Sequence, residues 1–427
     1  MNFTQHELSP GVRLHLCATD KFKTLTCKMF IQQDLKAREA ASTALVPLLL
    51  RRGSQKYPST RDMARVLEEL YAADFGSDVL KIGERQILEF HFQMVDPALL
   101  PQGGDLLAKG LQTFWEIATC PYGEGGFHEP YFQQEKHTLT QELEGLVNDK
   151  RTYALVRSTA LMCAGEPFAI YKYGDAETLG TLENKEVYEH YTKLVNSYPL
   201  DIFVVGSQAQ QAAEILAQLV PGRAGGAKLS SPQQVEVGEP RYFEDLIDVQ
   251  QAVLVMGYRT NLNYLDEDYY SLLVGNGILG GFSHSKLFLN VRERASLAYY
   301  VGSSIEGSKG LLTISAGISG AKQEQAVQII KEQVQEMQAG RISSKELDQT
   351  KRGLISSING MNDNPSGLID RNIIGIVHNE LRTIDEVVQA ISEVNLDSVV
   401  KAMEKVQLDT VYILRSNPQE GADHGAD

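Results

Sequence analysis

The sequence predicts an α+β fold in which one unit occurs twice, each copy a mostly antiparallel sheet packed with helices, with a linker joining the two. Two observations predict this fold. The order strand, helix, glycine, second helix, two strands and further helices occurs in both halves of the chain. The two consecutive strands in each half are separated by only a few residues, and short turns connect antiparallel rather than parallel strands.

The first half begins its repeat with alternating apolar residues at Thr24–Ile31, which predict a half-buried strand. An apolar stripe then predicts a helix from about Ala37 to Arg52, ended by Gly53. Pro47 within it predicts a kink or a later start of the helix. The same patterns predict strands near Ser77–Ile82, Arg85–Val95 and Ile202–Gly206, and helices at about Ser59–Ala73, Pro101–Ala118, Pro130–Leu146, Arg151–Met162, Asn184–Asn196 and Gln208–Leu219.

The segment 221–238 is rich in glycine, serine and proline and lacks periodicity, so it predicts a linker. We therefore expect an N-terminal domain at 1–220, a C-terminal domain at 239–415 and a solvated tail at 416–427. The second half predicts strands at Val249–Gly257, Leu297–Ile305, Leu311–Ile318 and Val411–Leu414, and helices at Asp268–Leu279, Ser285–Arg294, Gln323–Ala339, Ser344–Met361, Leu368–Asn379, Ile384–Ala390 and Leu396–Ala402.

A glycine-rich loop, Gly280-Gly281-Phe282-Ser283, ends the first helix of the second half. Glycine lets backbone N–H groups come close to a bound chain, because no side chain intervenes. The next helix carries Leu287, Phe288 and Val291 inward and stops near Arg294.

Arg292 and Tyr299 lie at neighbouring ends of that helix and of the following strand, so we expect them to face the same space. Each residue also has a simpler interpretation when taken alone. Arg292 could be a solvated arginine favoured by the helix dipole, and Tyr299 a cross-strand aromatic of the core.

Composition limits the possible partners. A net charge of −15 argues against nucleic acid and against an anionic membrane surface. The four cysteines are widely spaced and form no C-x-x-C pair, which favours reduced thiols. The first residues lack the pattern of a secretory signal, and the apolar runs are too short to span a bilayer. We therefore expect a cytoplasmic protein with no membrane span.

The motifs Gly280-Gly281-Phe282-Ser283-x-Ser285-Lys286-Leu287-Phe288 and Arg292-Glu293-x-x-x-Leu297-Ala298-Tyr299 resemble the C-terminal signature of the M16 (pitrilysin, insulinase) family of zinc peptidases, which includes mitochondrial processing peptidase. Leu48-Leu49-Leu50-Arg51-Arg52-Gly53 resembles the family's segment after the metal motif, and 175–206 its closing helix and strand. The resemblance covers nearly the full length and implies two LuxS/MPP-like domains. It also implies that Arg292 and Tyr299 hold the substrate backbone beside zinc.

The resemblance fails at the metal motif. The family places His-x-x-Glu-His on the first helix of its N-terminal half, with two imidazoles on one face for Zn²⁺ and the glutamate as base. Counted back from Gly53, those positions are Ala44, Pro47 and Leu48, which can neither bind metal nor move a proton. Glu142 matches the family's distal carboxylate ligand, and no displaced H-x-x-E-H or H-E-x-x-H occurs in the chain. We expect no metal on this chain.

In this family the two halves of the site can come from different subunits. The resemblance therefore implies a zinc-less subunit of a heterodimeric peptidase, which is not a peptidase on its own and which holds a peptide substrate next to zinc on a partner subunit. The alternative is a non-catalytic structural or peptide-binding scaffold. An unrelated enzyme site is a third possibility, but the chain has no G-x-S-x-G, no P-loop and no G-x-G-x-x-G at a strand–helix junction.

Overall fold

The computed structural model of the chain describes residues 2–101, 104–223, 226–230 and 235–417. Parts of the predicted linker, at 224–225 and 231–234, and most of the predicted tail, at 418–427, lie outside these described residues. Within the described residues, each helix is too short or too polar to cross a bilayer.

Two sheets form the framework of the fold. Their strands are β1 (Thr4–Ser9), β2 (Val12–Ala18), β3 (Thr24–Asp34), β4 (Asp74–Ile82), β5 (Arg85–Val95), β6 (Leu200–Gly206), β7 (Arg241–Leu246), β8 (Ala252–Arg259), β9 (Ala298–Glu306), β10 (Leu311–Ile318) and β11 (Gln407–Arg415). The first sheet has the order β1-β2-β6-β3-β5-β4, and the second has the order β7-β11-β8-β10-β9.

The strand order confirms the predicted duplication. Strands β2, β6, β3, β5 and β4 correspond in order and direction to β7, β11, β8, β10 and β9, because each series has one parallel pair followed by antiparallel pairs. The first sheet adds β1 at its margin. The predicted α+β class, with mostly antiparallel sheets packed with helices, is therefore confirmed.

Helices surround the sheets and account for the apolar stripes of the sequence. They are α1 (Ala37–Leu50), α2 (Thr60–Glu69), α3 (Leu106–Thr119), α4 (Glu129–Gly145), α5 (Lys150–Met162), α6 (Ala176–Gly180), α7 (Asn184–Ser197), α8 (Ala209–Leu219), α9 (Tyr269–Asn276), α10 (Gln323–Gln338), α11 (Ser344–Gly360), α12 (Pro365–Asp370), α13 (Ile373–His378), α14 (Ile384–Glu393) and α15 (Leu396–Glu404). Two π-helical segments follow α9, at Gly277–Gly281 and Phe288–Arg294.

The chain divides into two compact units that exchange segments. The first unit comprises Met1–Glu144, Ile170–Ser231 and Met361–Leu381, and the second comprises Gly145–Ala169, Pro232–Gly360 and Arg382–Asp427. The break between them along the chain falls within the predicted linker, 221–238. The sequence predicted contiguous domains, 1–220 and 239–415, and did not predict these exchanged segments. The apolar pattern of a helix shows that one of its faces is buried, but it does not show which sheet covers that face.

Each unit has its own apolar core. In the first unit, the alternate residues Leu25, Cys27, Met29 and Ile31 of β3 are buried against α1, α3, α7 and α8. In the second unit, Leu254 and Met256 of β8 are buried with α9, α10 and α15, while Val253 and Val255 on the other face pack against α5.

Several local predictions need correction. Helix α1 does not start late, since it begins at Ala37 and continues through Pro47, with the Arg51 N–H donating to the Pro47 carbonyl at 3.3 Å. The predicted helix Leu368–Asn379 is two helices, α12 and α13. The Asn364 side chain caps the first, and Asn379, at φ 55°, ends the second. The pattern did not predict β1, β2, β7 or α6.

Candidate functional site at a helix–strand junction

Arg292 and Tyr299 lie on either side of a tight helix–strand junction in the second unit. The π-helix Phe288–Arg294 ends with the Ala295 N–H donating to the Asn290 carbonyl at 3.2 Å. The chain then turns through Ser296, at φ 49°, and the Leu297 N–H donates to the Val291 carbonyl at 3.0 Å. These bonds satisfy carbonyls at the helix end and fix where β9 begins.

Tyr299 is the extra residue of a β-bulge. In the ladder between β9 and β10, Ile318 pairs with Ala298 and Gly317 pairs with Tyr300, which leaves Tyr299 between them without a partner. A bulge bends the strand and redirects the side chain of the extra residue. Tyr299 is accordingly 77% exposed, the highest value among the exposed large apolar and aromatic residues of the described chain. The interpretation of Tyr299 as a core aromatic is therefore wrong.

Arg292 is exposed as well, with 43% of its side chain accessible. Its guanidinium lies over the ring of Phe288, 4.8 Å from the ring centre, and its Nε lies 3.6 Å from a carboxylate oxygen of Glu293. An aromatic ring under one face of a guanidinium leaves the N–H groups on its edge able to donate to a ligand. Phe288 was predicted to point into the core, but it is half-buried and supports Arg292.

The two glycines of the loop have different roles. A Cβ atom at Gly280 would lie 2.5 Å from Ser303 Oγ and 2.6 Å from Ser303 N, so packing against β9 requires glycine there. A Cβ at Gly281 would meet nothing nearer than 3.5 Å, and Gly281 is exposed. Of the two glycines, only Gly281 has room beside its backbone for a bound chain to approach.

Phe282 and Ser283 complete the loop. Phe282 stacks on His284 with ring centres 5.1 Å apart, and a Cβ at Gly353 would approach its ring to 2.9 Å. His284 Nε2 lies 3.1 Å from Thr350 Oγ1, so this histidine faces Phe282 and α11. Ser283 is exposed.

The positions aligned with the zinc motif are apolar and mostly buried. Ala44 is 3% exposed and belongs to the first core, Pro47 is buried, and Leu48 packs half-buried against the same core. None of these side chains carries a donor atom for zinc, so α1 does not fit the metal. Over the described residues, no three His, Cys, Asp or Glu side chains are grouped so that they could hold an ion.

Glu142 is exposed on α4. Its charge contributes to the raised pKa of Tyr173, which is caused first by burial and then by Asp78, whose carboxylate accepts a hydrogen bond from the Tyr173 hydroxyl at 3.0 Å. Glu142 therefore lies close enough to Tyr173 for its charge to act on that phenol, as do the charges of Asp78 and Arg51.

Sequence reasoning did not find the bulge at Tyr299 or the support of Arg292 by Phe288. The bulge has no sequence signal here, because it depends on the register between β9 and β10. The spacing from Phe288 to Arg292 is four residues, which places both on one helix face and could have suggested the contact.

These features define a class of protein: a duplicated peptidase fold that keeps an exposed arginine–tyrosine pair and has apolar residues where a zinc motif would lie. The comparisons with known proteins agree. Residues 181–354 match the family model "Peptidase M16 inactive domain". The chain is 37% identical over 346 residues to "Probable inactive metalloprotease YmfF" of Bacillus subtilis, covering 80% of this chain and 81% of that protein.

Two further similarities are informative. The chain is 34% identical over 157 residues, 35% of its length and 37% of the relative's, to "Uncharacterized zinc protease YmxG" of Bacillus subtilis. The crystal structure of a conserved protein from Enterococcus faecalis matches with a TM-score of 0.88 at 29% identity, covering 98% of this chain and 99% of that one. The chain belongs to the M16 peptidase family, as a homologue that lacks the zinc motif.

Proposed function

We propose that this chain is the substrate-binding, complementing subunit of a heteromeric M16 zinc peptidase that cleaves peptides or small unfolded proteins. A homologous partner with His-x-x-Glu-His would supply the zinc and the general base. This chain would supply Arg292 and Tyr299. The observation that carries the proposal is the bulge that presents Tyr299 to solvent, across the helix–strand junction from the exposed Arg292.

The two side chains suit the main chain of a peptide. A guanidinium offers several N–H donors in one plane, and a phenol offers one O–H donor, so both can donate to substrate carbonyl oxygens. Donors aimed at an oxygen that gains charge during cleavage stabilise the transition state more than the bound substrate. Because neither side chain attacks the peptide bond, the chain contributes binding and charge stabilisation only.

A partner is required because α1 lacks the side chains that bind zinc and act as the general base. Ala44 and Leu48 have no imidazole, and Pro47 has no carboxylate. In the first unit, the side chains at these positions are built into a core or against it, so restoring a metal site there would disturb packing. We place the complex in the cytoplasm, on the composition and cysteine spacing alone.

The test is to co-express the chain with a zinc-motif homologue encoded in the same genome and to assay cleavage of unfolded peptides. We expect cleavage only with both chains present. Arg292→Ala and Tyr299→Phe should each lower kcat/KM by about 10²–10³-fold, the usual effect of losing one such donor. Both substituted side chains are exposed, so the fold should be retained.

The chain offers matched controls for both variants. Arg294 lies in the same helix and is exposed, with its guanidinium donating to Asn290 Oδ1 at 2.8 Å, so Arg294→Ala tests the loss of a neighbouring positive charge. Tyr242 is 61% exposed on β7, so Tyr242→Phe tests the loss of an exposed phenol elsewhere. Equal losses of kcat/KM in variants and controls would favour the scaffold alternative. So would a stable complex whose kcat/KM is unchanged by Arg292→Ala and Tyr299→Phe.

A further inference from the structure

The free edge of β4 in the first unit is covered by side chains. Among the strands that the structure describes, β4 is the outermost of its sheet and pairs only with β5. An edge strand normally presents unpaired N–H and C=O groups, to which an extended peptide can add as a further strand. The backbone groups of Ser77 and Val79 lie two residues apart and therefore on the same edge of β4.

Side chains bind these groups directly. Lys172 Nζ donates to the Val79 carbonyl at 2.9 Å, and the Val79 N–H donates to Asp78 Oδ1 at 2.7 Å. Arg51, just beyond α1, donates from Nη2 to the Ser77 carbonyl. An incoming strand would have to displace each of these bonds before it could pair with β4.

The covering side chains also hold one another. The Tyr173 hydroxyl donates to Asp78 Oδ1 at 3.0 Å, and Lys172 Nζ lies 3.7 Å from Asp78 Oδ2. Lys81 Nζ donates to the Ile170 carbonyl at 2.9 Å, which ties the segment that carries Lys172 to β4. We call Arg51, Asp78, Lys172 and Tyr173 the edge latch.

We infer that the edge latch closes β4 to strand addition, so that the first unit of this chain does not bind peptide through the β4 edge of its sheet. This inference rests on the proposed function in one respect: the proposed function identifies the excluded ligand as an extended peptide. Under the proposed function, peptide is bound instead by Arg292 and Tyr299 of the second unit.

The latch is polar and partly hydrated, with 51% of the Asp78 side chain and 27% of the Lys172 side chain exposed. Exposed ion pairs and hydrogen bonds contribute little to stability, because water competes for the same groups. Removing the latch should therefore open the edge without unfolding the unit.

The experiment measures binding of a fluorescent, valine- and threonine-rich peptide to the full-length chain by anisotropy. All variants carry Arg292→Ala and Tyr299→Phe, so that a failure of the proposed function cannot affect the result. Arg51→Ala with Lys172→Met should raise affinity at least about tenfold, since each displaced hydrogen bond accounts for roughly a fivefold factor. Methionine keeps the aliphatic stem of Lys172, and circular dichroism with urea unfolding checks the fold.

Two controls identify strand pairing as the cause. Lys136 is a lysine on α4 that donates to the Gly180 and Leu182 carbonyls at 2.9 and 2.8 Å, so Lys136→Met removes a similar lysine away from β4 and should leave affinity unchanged. The same peptide with alternate backbone nitrogens methylated cannot pair with a strand. Its affinity should therefore not rise when the edge latch is removed. The inference is overturned if the intact latch already permits methylation-sensitive binding, or if its removal leaves affinity unchanged.

Discussion

The guanidinium of Arg292 lies over the ring of Phe288, one helical turn earlier, with 4.8 Å between its central carbon and the ring centre. The ring packs against one face of the exposed guanidinium and so restricts the rotamers of Arg292. Leu289 is exposed on the same helix and has no aromatic ring that could support a guanidinium.

Replacing Phe288 with leucine keeps an apolar side chain but removes the ring. We expect KM of the complemented peptidase to rise about two- to fivefold, because an exposed cation–π contact contributes about 0.5–1 kcal/mol. Steady-state kinetics with varied peptide concentration measure this. Leu289→Ala is the control, since it shortens an exposed side chain of the same helix. An unchanged KM for Phe288→Leu would show that the ring does not position Arg292.

Gly280 and Gly281 should differ sharply when each is changed to alanine. The Cβ of Gly280→Ala would collide with the backbone nitrogen of Ser303 at 2.6 Å, which requires backbone movement, so we expect a loss of about 1–3 kcal/mol in the free energy of unfolding. Gly281→Ala has room and should change it by less than about 0.5 kcal/mol. Urea unfolding measures the free energy of unfolding of both variants. Equal losses in the two would contradict the conclusion that only Gly280 is needed for packing.

Burial lowers the pKa of His190 to about 4, with Lys193 adding to the effect and Glu186 opposing it. In the unfolded chain this histidine titrates near its ordinary value of about 6.5. Between those two values the unfolded chain binds the proton and the folded chain does not. The free energy of unfolding should therefore fall as pH drops from about 6.5 to about 4, by at most about 3 kcal/mol.

His190→Gln should remove most of this dependence, because glutamine does not titrate and can still bond to Thr43, whose Oγ1 lies 2.9 Å from His190 Nε2. Chemical unfolding at a series of pH values measures the slope. His137, exposed on α4, provides the control variant His137→Gln, which should keep the slope of the unmodified chain. If the pH dependence of the free energy of unfolding persists in His190→Gln, other titrating groups cause it.

Glu166 anchors the exchanged segment Gly145–Ala169 within the second unit. Its carboxylate oxygens lie 2.5 Å from Arg259 Nη2 and 2.7 Å from Lys309 Nζ, and both cationic side chains are almost fully buried. Glu166→Gln removes the negative charge from beside two buried positive charges, so we expect a loss of about 3 kcal/mol in the free energy of unfolding.

Urea unfolding tests the role of Glu166. The control is Glu244→Gln, because Glu244 pairs with Arg415 at the surface and its side chain is 39% exposed. A small effect at both positions would mean that other contacts hold the segment, such as the packing of Ala154 against Val253 and Val255 and the ion pair of Arg157 with Asp245.

Much of this architecture can be predicted from local pattern. The alternation in β3 and the apolar stripe of α1 follow from side-chain period, and their bounds differ from prediction by only a few residues. Strand β7 has no such signal, because it is an exposed edge strand. The break between α12 and α13 was missed because each is only six residues long and the apolar pattern continues across it.

The sequence by itself determined the duplicated fold, the membership of the M16 family and the loss of the metal motif at Ala44, Pro47 and Leu48, because these depend on residue identity and spacing. Only the tertiary structure decided that Tyr299 occupies a bulge, that Gly280 is needed for packing while Gly281 is not, and that side chains cover the edge of β4. The physical reason is that strand register, close backbone approach and hydrogen bonds between distant segments are set when sheets and helices pack, and no local pattern in the chain encodes them.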